Sequence, residues 1–294
     1  EGAIAARGSL RMPRWARRAP VHLPRRVLEE TVYVPFIRFF GRPEVRGLER
    51  LAGAEPPFLF VANHRSYFDS ALFKTMLPRP LRGRIAPAMT TRYHRVFFGE
   101  TKGGPARYAK EWFQVRLVEF LFHVWPLPET AGLRASLFYA GELADAGFSL
   151  LIFPEGRHVP GEGMEPFRKG IGIFARELRL PVVPVYVEGT SRVLPDGAYW
   201  PRRGRTRLLI GPPIRIDERA DAAEATRIIE AAVHELQDHS ARLEAGSSQK
   251  TGSSAGRPSS PGGGGVSIMP ALVRYCHGVV CKSANRIDPL ALNR

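Results

Sequence analysis

Phe58-Leu59-Phe60-Val61-Ala62-Asn63-His64-Arg65-Ser66-Tyr67-Phe68-Asp69 passes within twelve residues from an unbroken apolar run to an imidazole and a carboxylate five positions apart. A short apolar run closed by polar sequence reads as a strand buried on both faces. Ser66 then supplies an N-cap for a helix opening on Tyr67-Phe68-Asp69. The same design recurs in Leu150-Leu151-Ile152-Phe153-Pro154-Glu155-Gly156-Arg157-His158, where a second apolar run ends in a charged turn.

Outward from these two stretches, strand-like and helix-like segments alternate. The strand-like runs are 58–61, 150–153, 182–187 and 206–210; the helix-like runs are 69–76, 133–146, 171–178 and 222–243. Such alternation predicts an α/β fold, a mostly buried sheet flanked by helices. Residues 109–127 are apolar and aromatic, but Glu111, Arg116 and Glu119 exclude a free transmembrane helix. They predict a core helix or one wall of a site for a long apolar group.

The chain of 294 residues carries a net charge of +15, unevenly spread. Residues 1–50 hold 11 Lys+Arg against 5 Asp+Glu, residues 246–294 hold 6 against 1, and the middle holds 26 against 22. An excess at the ends predicts adhesion to an anionic surface rather than a basic cleft. No interleaved aromatic and basic module appears, so a membrane surface, not nucleic acid, is the expected partner. Cys276 and Cys281 both lie in the tail, which excludes a disulfide framework from the main domain and fits a reducing compartment. With His277 they do not match a zinc spacing, and no metal is expected. The chain opens on Glu1 rather than Met, as a fragment or processed product would.

Three segments are expected: a basic, Pro-rich stretch over 1–26 without regular structure, a folded domain over 27–245, and a Gly/Ser/Pro-rich linker and disordered tail over 246–294. Between residues 251 and 265, 12 of 15 residues are Gly, Ser or Pro, too little apolar surface to fold. Residues 27–40 are apolar with Glu29, Glu30 and Arg38 interspersed, and too short to span a bilayer of about 30 Å. They predict either an amphipathic segment in the membrane interface or a core helix.

On one continuous helix His64 and Asp69 would face about 140° apart. A strand-to-helix break between them allows Asp69 to fold back onto His64. A carboxylate on one ring nitrogen fixes the tautomer and stabilises the imidazolium, so the other nitrogen takes a proton from a hydroxyl. The competing reading is a capping box, Ser66 to Asp69, in which the carboxylate satisfies a backbone donor. No G-x-S-x-G elbow and no HExxH are present.

Asn63-His64 followed by Asp69 resembles the HxxxxD signature of the glycerolipid acyltransferases, the lysophosphatidic acid acyltransferase (PlsC-like) family. Phe153-Pro154-Glu155-Gly156 resembles its FPEG signature. Phe167-Arg168-Lys169-Gly170 and Pro181-Val182-Val183-Pro184-Val185 match two weaker blocks in the family's order. The resemblance covers roughly residues 27–240 and implies the acyltransferase (PlsC-like) fold with a mixed sheet. It implies that His64 and Asp69 deprotonate a glycerol hydroxyl for attack on acyl-CoA or acyl-carrier protein, a co-substrate, with no cofactor or acyl-enzyme. The acceptor is then a lysophospholipid, foremost 1-acyl-glycerol-3-phosphate, and the chain sits peripherally on the cytoplasmic face of a membrane.

An anion seat is expected after the second strand: Gly156 permits close approach, Arg157 holds phosphate, and Glu155 holds a substrate hydroxyl. Lys169, Arg168 and Arg134 are further candidates for phosphate. Two departures bear on the acceptor. Arg157 and His158 stand where the family has Thr then Arg, and Glu129 stands about where it has a phosphate-binding Arg. The alternative is a non-catalytic membrane- or lipid-binding module with a degenerate acceptor site.

Overall fold

The computed structural model describes residues 19–89, 104–127, 133–156, 163–198 and 200–251. Helix α1 (Ala19–Leu28) passes through a π-helical turn (Glu29–Tyr33) into α2 (Val34–Gly41). There follow β1 (Pro43–Arg46), a 3-10 turn (Leu48–Leu51), β2 (Leu59–Ala62), α3 (Phe68–Met76), α4 (Arg79–Arg82) and β3 (Ile85–Met89). Next come α5 (Pro105–Phe122), β4 (Trp125–Pro126), α6 (Leu133–Asp145), β5 (Ser149–Ile152), α7 (Gly170–Leu178) and β6 (Val182–Glu188). The described chain closes with α8 (Thr190–Val193), β7 (Thr206–Ile210) and α9 (Ala222–Thr251).

The strands form one mixed sheet in the order β1-β7-β6-β2-β5-β3-β4. All neighbours are parallel except β6 and β7. The central strands β2 and β5 are buried at every position, so their alternating side chains feed two separate cores. Phe60, Leu151, Val183 and Val185 point to the face covered by α2, α3 and α5. Leu59, Val61, Leu150 and Ile152 point to the face covered by α6, α7 and α9. Phe60 packs edge-on against Phe58 and Phe73, at 5.6 and 4.9 Å between ring centroids. Truncating such a side chain to Ala costs about 3–5 kcal/mol. On the other face α7 meets α9 closely, since a Cβ on Gly172 would lie 2.0 Å from the Ala222 carbonyl oxygen.

The α/β class is as the alternation predicted, and strand 206–210 keeps the expected bounds. Three strands escaped it. The edge strand β1 is nowhere fully buried, β3 carries Pro87, a residue that argues against an interior strand, and β4 has only two residues.

The lead-in also differs from expectation. Residues 1–26 were expected to lack regular structure, yet α1 begins at Ala19. The reason is tertiary. Arg25 is buried, donating to the Phe120 carbonyl and contacting His123. Glu29 receives the ammonium of Lys74, which also donates to the Leu121 carbonyl. Glu30 pairs with Arg82. Residues 27–40 supply core side chains, Val34 and Ile37, while Val27 and Phe39 face solvent. At the other end α9 continues to Thr251, beyond the boundary expected at 245. The tail expected to be disordered lies, over residues 252–294, outside the described residues. Among those described, no helix is long and apolar enough to cross a membrane.

Candidate active site

The site forms where β2 ends. Asn63, fully buried, donates through Nδ2 to the Val187 carbonyl at 2.9 Å and accepts the Val187 N–H through Oδ1 at 2.7 Å. Those two bonds replace the next rung of the β2–β6 ladder with a side chain and let the backbone leave the sheet. The next residue, His64, donates its backbone N–H to Oε1 of Glu155 at 2.9 Å. The chain then turns into α3, whose first residues include Asp69.

Asp69 is fully buried. Its Oδ2 lies 2.9 Å from Nδ1 of His64 and accepts the backbone N–H groups of Arg65 at 2.6 Å and Ser66 at 2.8 Å. Both readings of the five-residue spacing therefore hold together: the capping-box bond from Ser66 exists, and the same oxygen braces the imidazole. Oδ1 of Asp69 has no hydrogen-bond partner among the described residues. Ser66 turns its hydroxyl to the Leu194 carbonyl at 2.6 Å and accepts the Phe68 N–H at 3.2 Å. The helix itself is capped at Tyr67, one residue beyond the expected N-cap.

The His64 side chain is 18% exposed, buried enough to be held and open enough to meet a solute. Its ring stacks on Phe153, with centroids 4.1 Å apart and planes 17° from parallel. With Nδ1–H directed to Asp69, the neutral ring presents Nε2 as its acceptor. In the sequence Phe153 reads as the end of an apolar run and the start of a motif; as the apolar floor of the imidazole it is a site residue that pattern does not reveal.

Glu155, expected to hold a substrate hydroxyl, is 3% exposed, and both its oxygens are used internally. Oε1 accepts from His64 and Oε2 accepts the Glu165 N–H at 3.2 Å. Burial pushes its carboxyl above the usual carboxylate range, with the two backbone donors acting in the opposite sense. It fixes the loop that carries the imidazole.

Gly156 follows in the left-handed region, φ +74°, closing a turn by donating its N–H to the Phe153 carbonyl at 3.2 Å. The guanidinium of Arg168 lies over it: a Cβ at this position would be 2.5 Å from Arg168 Cζ. The Arg168 N–H donates to the Pro154 carbonyl at 3.1 Å. Arg168, rather than the neighbouring Lys169, is thus the cation set against the motif turn. Lys169 is exposed just before α7, and Arg134 is exposed in the first turn of α6. Among the described residues, no hydrogen bond or ion pair links either to the dyad. Arg157, His158 and Glu129 lie outside the described residues. No cluster of three potential metal ligands occurs among the described residues.

The parallel pairing of β2, β5, β3 and β4 sets their carboxyl ends along one edge of the molecule. His64 and Glu155 follow the ends of β2 and β5, where open α/β sheets place ligand sites.

The profile of the family described as Acyltransferase matches residues 42–188, half of the chain. A chloroplastic 1-acyl-sn-glycerol-3-phosphate acyltransferase of Brassica napus is 25% identical over 176 residues, 60% of this chain and 46% of that protein. A chloroplastic protein of the same name from Arabidopsis thaliana is 24% identical over 176 residues, 60% of this chain and 44% of its own. The chain thus spans about half the length of these curated relatives. In fold it is similar to the crystal structure of PlsC, the 1-acyl-sn-glycerophosphate acyltransferase from Thermotoga maritima. The TM-score is 0.53 at 21% identity, covering 73% of this chain and 81% of that one.

Proposed function

Since this chain belongs to the acyltransferase family and has the fold of PlsC, we propose that it moves a fatty acyl chain from a thioester to the hydroxyl of a lysophospholipid. The first acceptor is 1-acyl-glycerol-3-phosphate, the substrate in the names of the relatives. The donor is acyl-CoA or acyl-carrier protein. The observation that carries the reading is the 2.9 Å contact between Nδ1 of His64 and the buried Oδ2 of Asp69.

The chemistry follows from that contact. Nε2 of His64 takes the proton of the acceptor hydroxyl as its oxygen attacks the thioester carbonyl. A C–O bond forms, the tetrahedral intermediate collapses, and the C–S bond breaks. The departing thiolate takes the proton back from the imidazolium, so an ester and a free thiol leave. Asp69 stabilises the transient imidazolium and keeps the ring oriented. Positioned proton transfer of this kind contributes about 10²–10⁴-fold. The stack on Phe153 and the Glu155 bond to the His64 backbone restrict the ring to one orientation, which proximity effects require.

Arg168 is the best-supported cation for the acceptor phosphate, because it lies against the glycine turn beside Glu155. Arg134 and Lys169, at the starts of α6 and α7, are further candidates, as is Arg157 from its place in the sequence. Peripheral attachment to the cytoplasmic face of a membrane is supported by the net charge of +15 and by apolar side chains exposed along α1 and α2.

The test is an acceptor screen with one acyl-CoA, read by mass spectrometry of the lipid products. A new diacyl phospholipid with equimolar free CoA is expected. Binding of lysolipid without thiol release would instead mark a non-catalytic lipid-binding module. The assembled dyad weighs against that alternative.

A further inference from the structure

Consecutive side chains leave the end of β2 for opposite faces of the sheet. The His64 ring lies on Phe153, which packs on the core under α2, α3 and α5. Arg65 instead donates to the hydroxyl of Tyr186 in β6, whose ring belongs to the core under α6, α7 and α9. One atom holds both branches, since Oδ2 of Asp69 meets the His64 ring and accepts the Arg65 N–H.

Arg65 is 8% exposed and Tyr186 6%. A guanidinium this deep needs a compensating charge, because leaving a desolvated ion unpaired is costly. Two neighbouring carboxylates are committed elsewhere. Glu188 accepts from Ser240 and Arg207, and Asp69 serves the imidazole and the backbone. Glu155 remains, and the charge of Arg65 acts on it.

Glu155 spends both oxygens on backbone N–H groups, those of His64 and Glu165. An ionised carboxylate only accepts, whereas a protonated one carries a hydrogen of its own and accepts more weakly. Burial favours the protonated form and pushes the Glu155 carboxyl up; the two N–H donors, His64 and Arg65 oppose it. Arg168 adds a second cation from the α7 side, over Gly156. From β6 comes the Tyr186 hydroxyl, itself pushed up by burial with Arg65 acting in the opposite sense.

We propose that Arg65 is a positioning residue for the dyad: anchored by Tyr186, its guanidinium keeps Glu155 in the charged form that fixes the His64 backbone. Its reach to the reaction runs through Glu155 and the imidazole loop alone. The Arg65 N–H to Asp69 survives any change of side chain, so substitutions separate the guanidinium from the brace. The inference deepens the acyltransferase reading and rests on it for the kinetic arm of its test, but not for the resonance arm.

The test compares the parent with Arg65→Gln, Arg65→Lys and Tyr186→Phe, each also unfolded by denaturant. Arg65→Gln is expected to lose about tenfold more kcat at pH 6 than at pH 8, the scale of one charge removed beside a carboxyl. Arg65→Lys keeps the charge and restores the parent profile, at a kcat lowered a few-fold for want of the planar fork. Tyr186→Phe gives the same few-fold loss at every pH. In a Glu155→Gln background the pH-dependent part of the Arg65→Gln loss disappears. NMR reads the event without turnover. The His64 and Glu165 amide resonances share a titration midpoint in the parent, which moves to higher pH in Arg65→Gln and is abolished by Glu155→Gln. Should the glutamine variant not fold, Arg65→Met is the second neutral substitution.

A loss that is uniform in pH and accompanied by early unfolding marks a structural role and overturns the proposal. So does a pH-dependent loss that persists with Glu155→Gln, since Arg65 would then act on the imidazole directly. A raised acceptor KM with the parent pH profile makes Arg65 a substrate contact and overturns it likewise. Failure of the parent to acylate any lysolipid refutes the functional reading, and the amide titration then decides the proposal alone.

Discussion

Glu155 accepts the backbone N–H of His64 at 2.9 Å across 91 residues of sequence, joining the loops after β2 and β5. Glu155→Gln replaces one acceptor oxygen with an NH2 group facing a backbone N–H. The imidazole loop then shifts, and kcat falls by about 10²-fold, the effect of a small misplacement of a catalytic group. Steady-state kinetics distinguish this role from the one the motif suggested. A residue holding the substrate hydroxyl would raise the acceptor KM, and here that KM stays close to the parent value.

Asp69 serves the imidazole and two backbone donors with one oxygen. Asp69→Ala should therefore cost stability as well as activity, about 1–3 kcal/mol for each donor left unsatisfied. Asp69→Asn, nearly the same shape, should unfold close to the parent but lose about 10³–10⁴-fold in turnover, as an amide cannot stabilise imidazolium. Chemical denaturation and acyl transfer measured on the same preparations separate the two roles.

Gly156 has φ +74° under the Arg168 guanidinium. Gly156→Ala should destabilise by about 1–2 kcal/mol through the backbone conformation, plus whatever crowding Arg168 cannot relieve by moving. Arg168→Ala should leave folding intact and raise KM about tenfold for a phosphate-bearing acceptor, the scale of one charge-assisted contact. A neutral lysolipid should show no such change.

Lys74 is fully buried against Glu29. Lys74→Met leaves an uncompensated carboxylate and should cost about 3–5 kcal/mol, while Lys74→Met with Glu29→Leu should recover most of it. The pair has a pH signature. Burial, partly offset by Glu29, lowers the Lys74 ammonium from its ordinary 10.5 to about 8. Between those values the unfolded chain holds a proton that the folded chain has released, so this group makes stability rise with pH across that window. Unfolding free energies at several pH values should show the rise in the parent and lose that component in the double variant.

Much of this is legible in the sequence. Apolar runs at 58–61 and 150–153 marked the two central strands because both their faces are buried and periodicity is not required. His64 and Asp69 stood out because a strand-to-helix break is the local geometry that can join them. The roles of Glu155 and Arg25 were not legible. Each depends on partners about a hundred residues away, and nothing in local pattern says that a carboxylate will meet backbone donors rather than a ligand. Arg25 read as surface charge in a Pro-rich stretch, yet its contacts with Phe120 and His123 draw α1 into the fold. Phe153 read as the end of a strand, and its stacking on His64 appeared only once two loops were brought together.

The dyad account is tested most directly by following free thiol and lipid product together, with acyl-CoA and 1-acyl-glycerol-3-phosphate, for the parent and for His64→Ala. The account predicts equimolar thiol and diacyl product from the parent. It predicts a loss of about 10²–10⁴-fold in the variant with an unchanged unfolding transition. A folded His64→Ala protein that transfers acyl chains at the parent rate would contradict it.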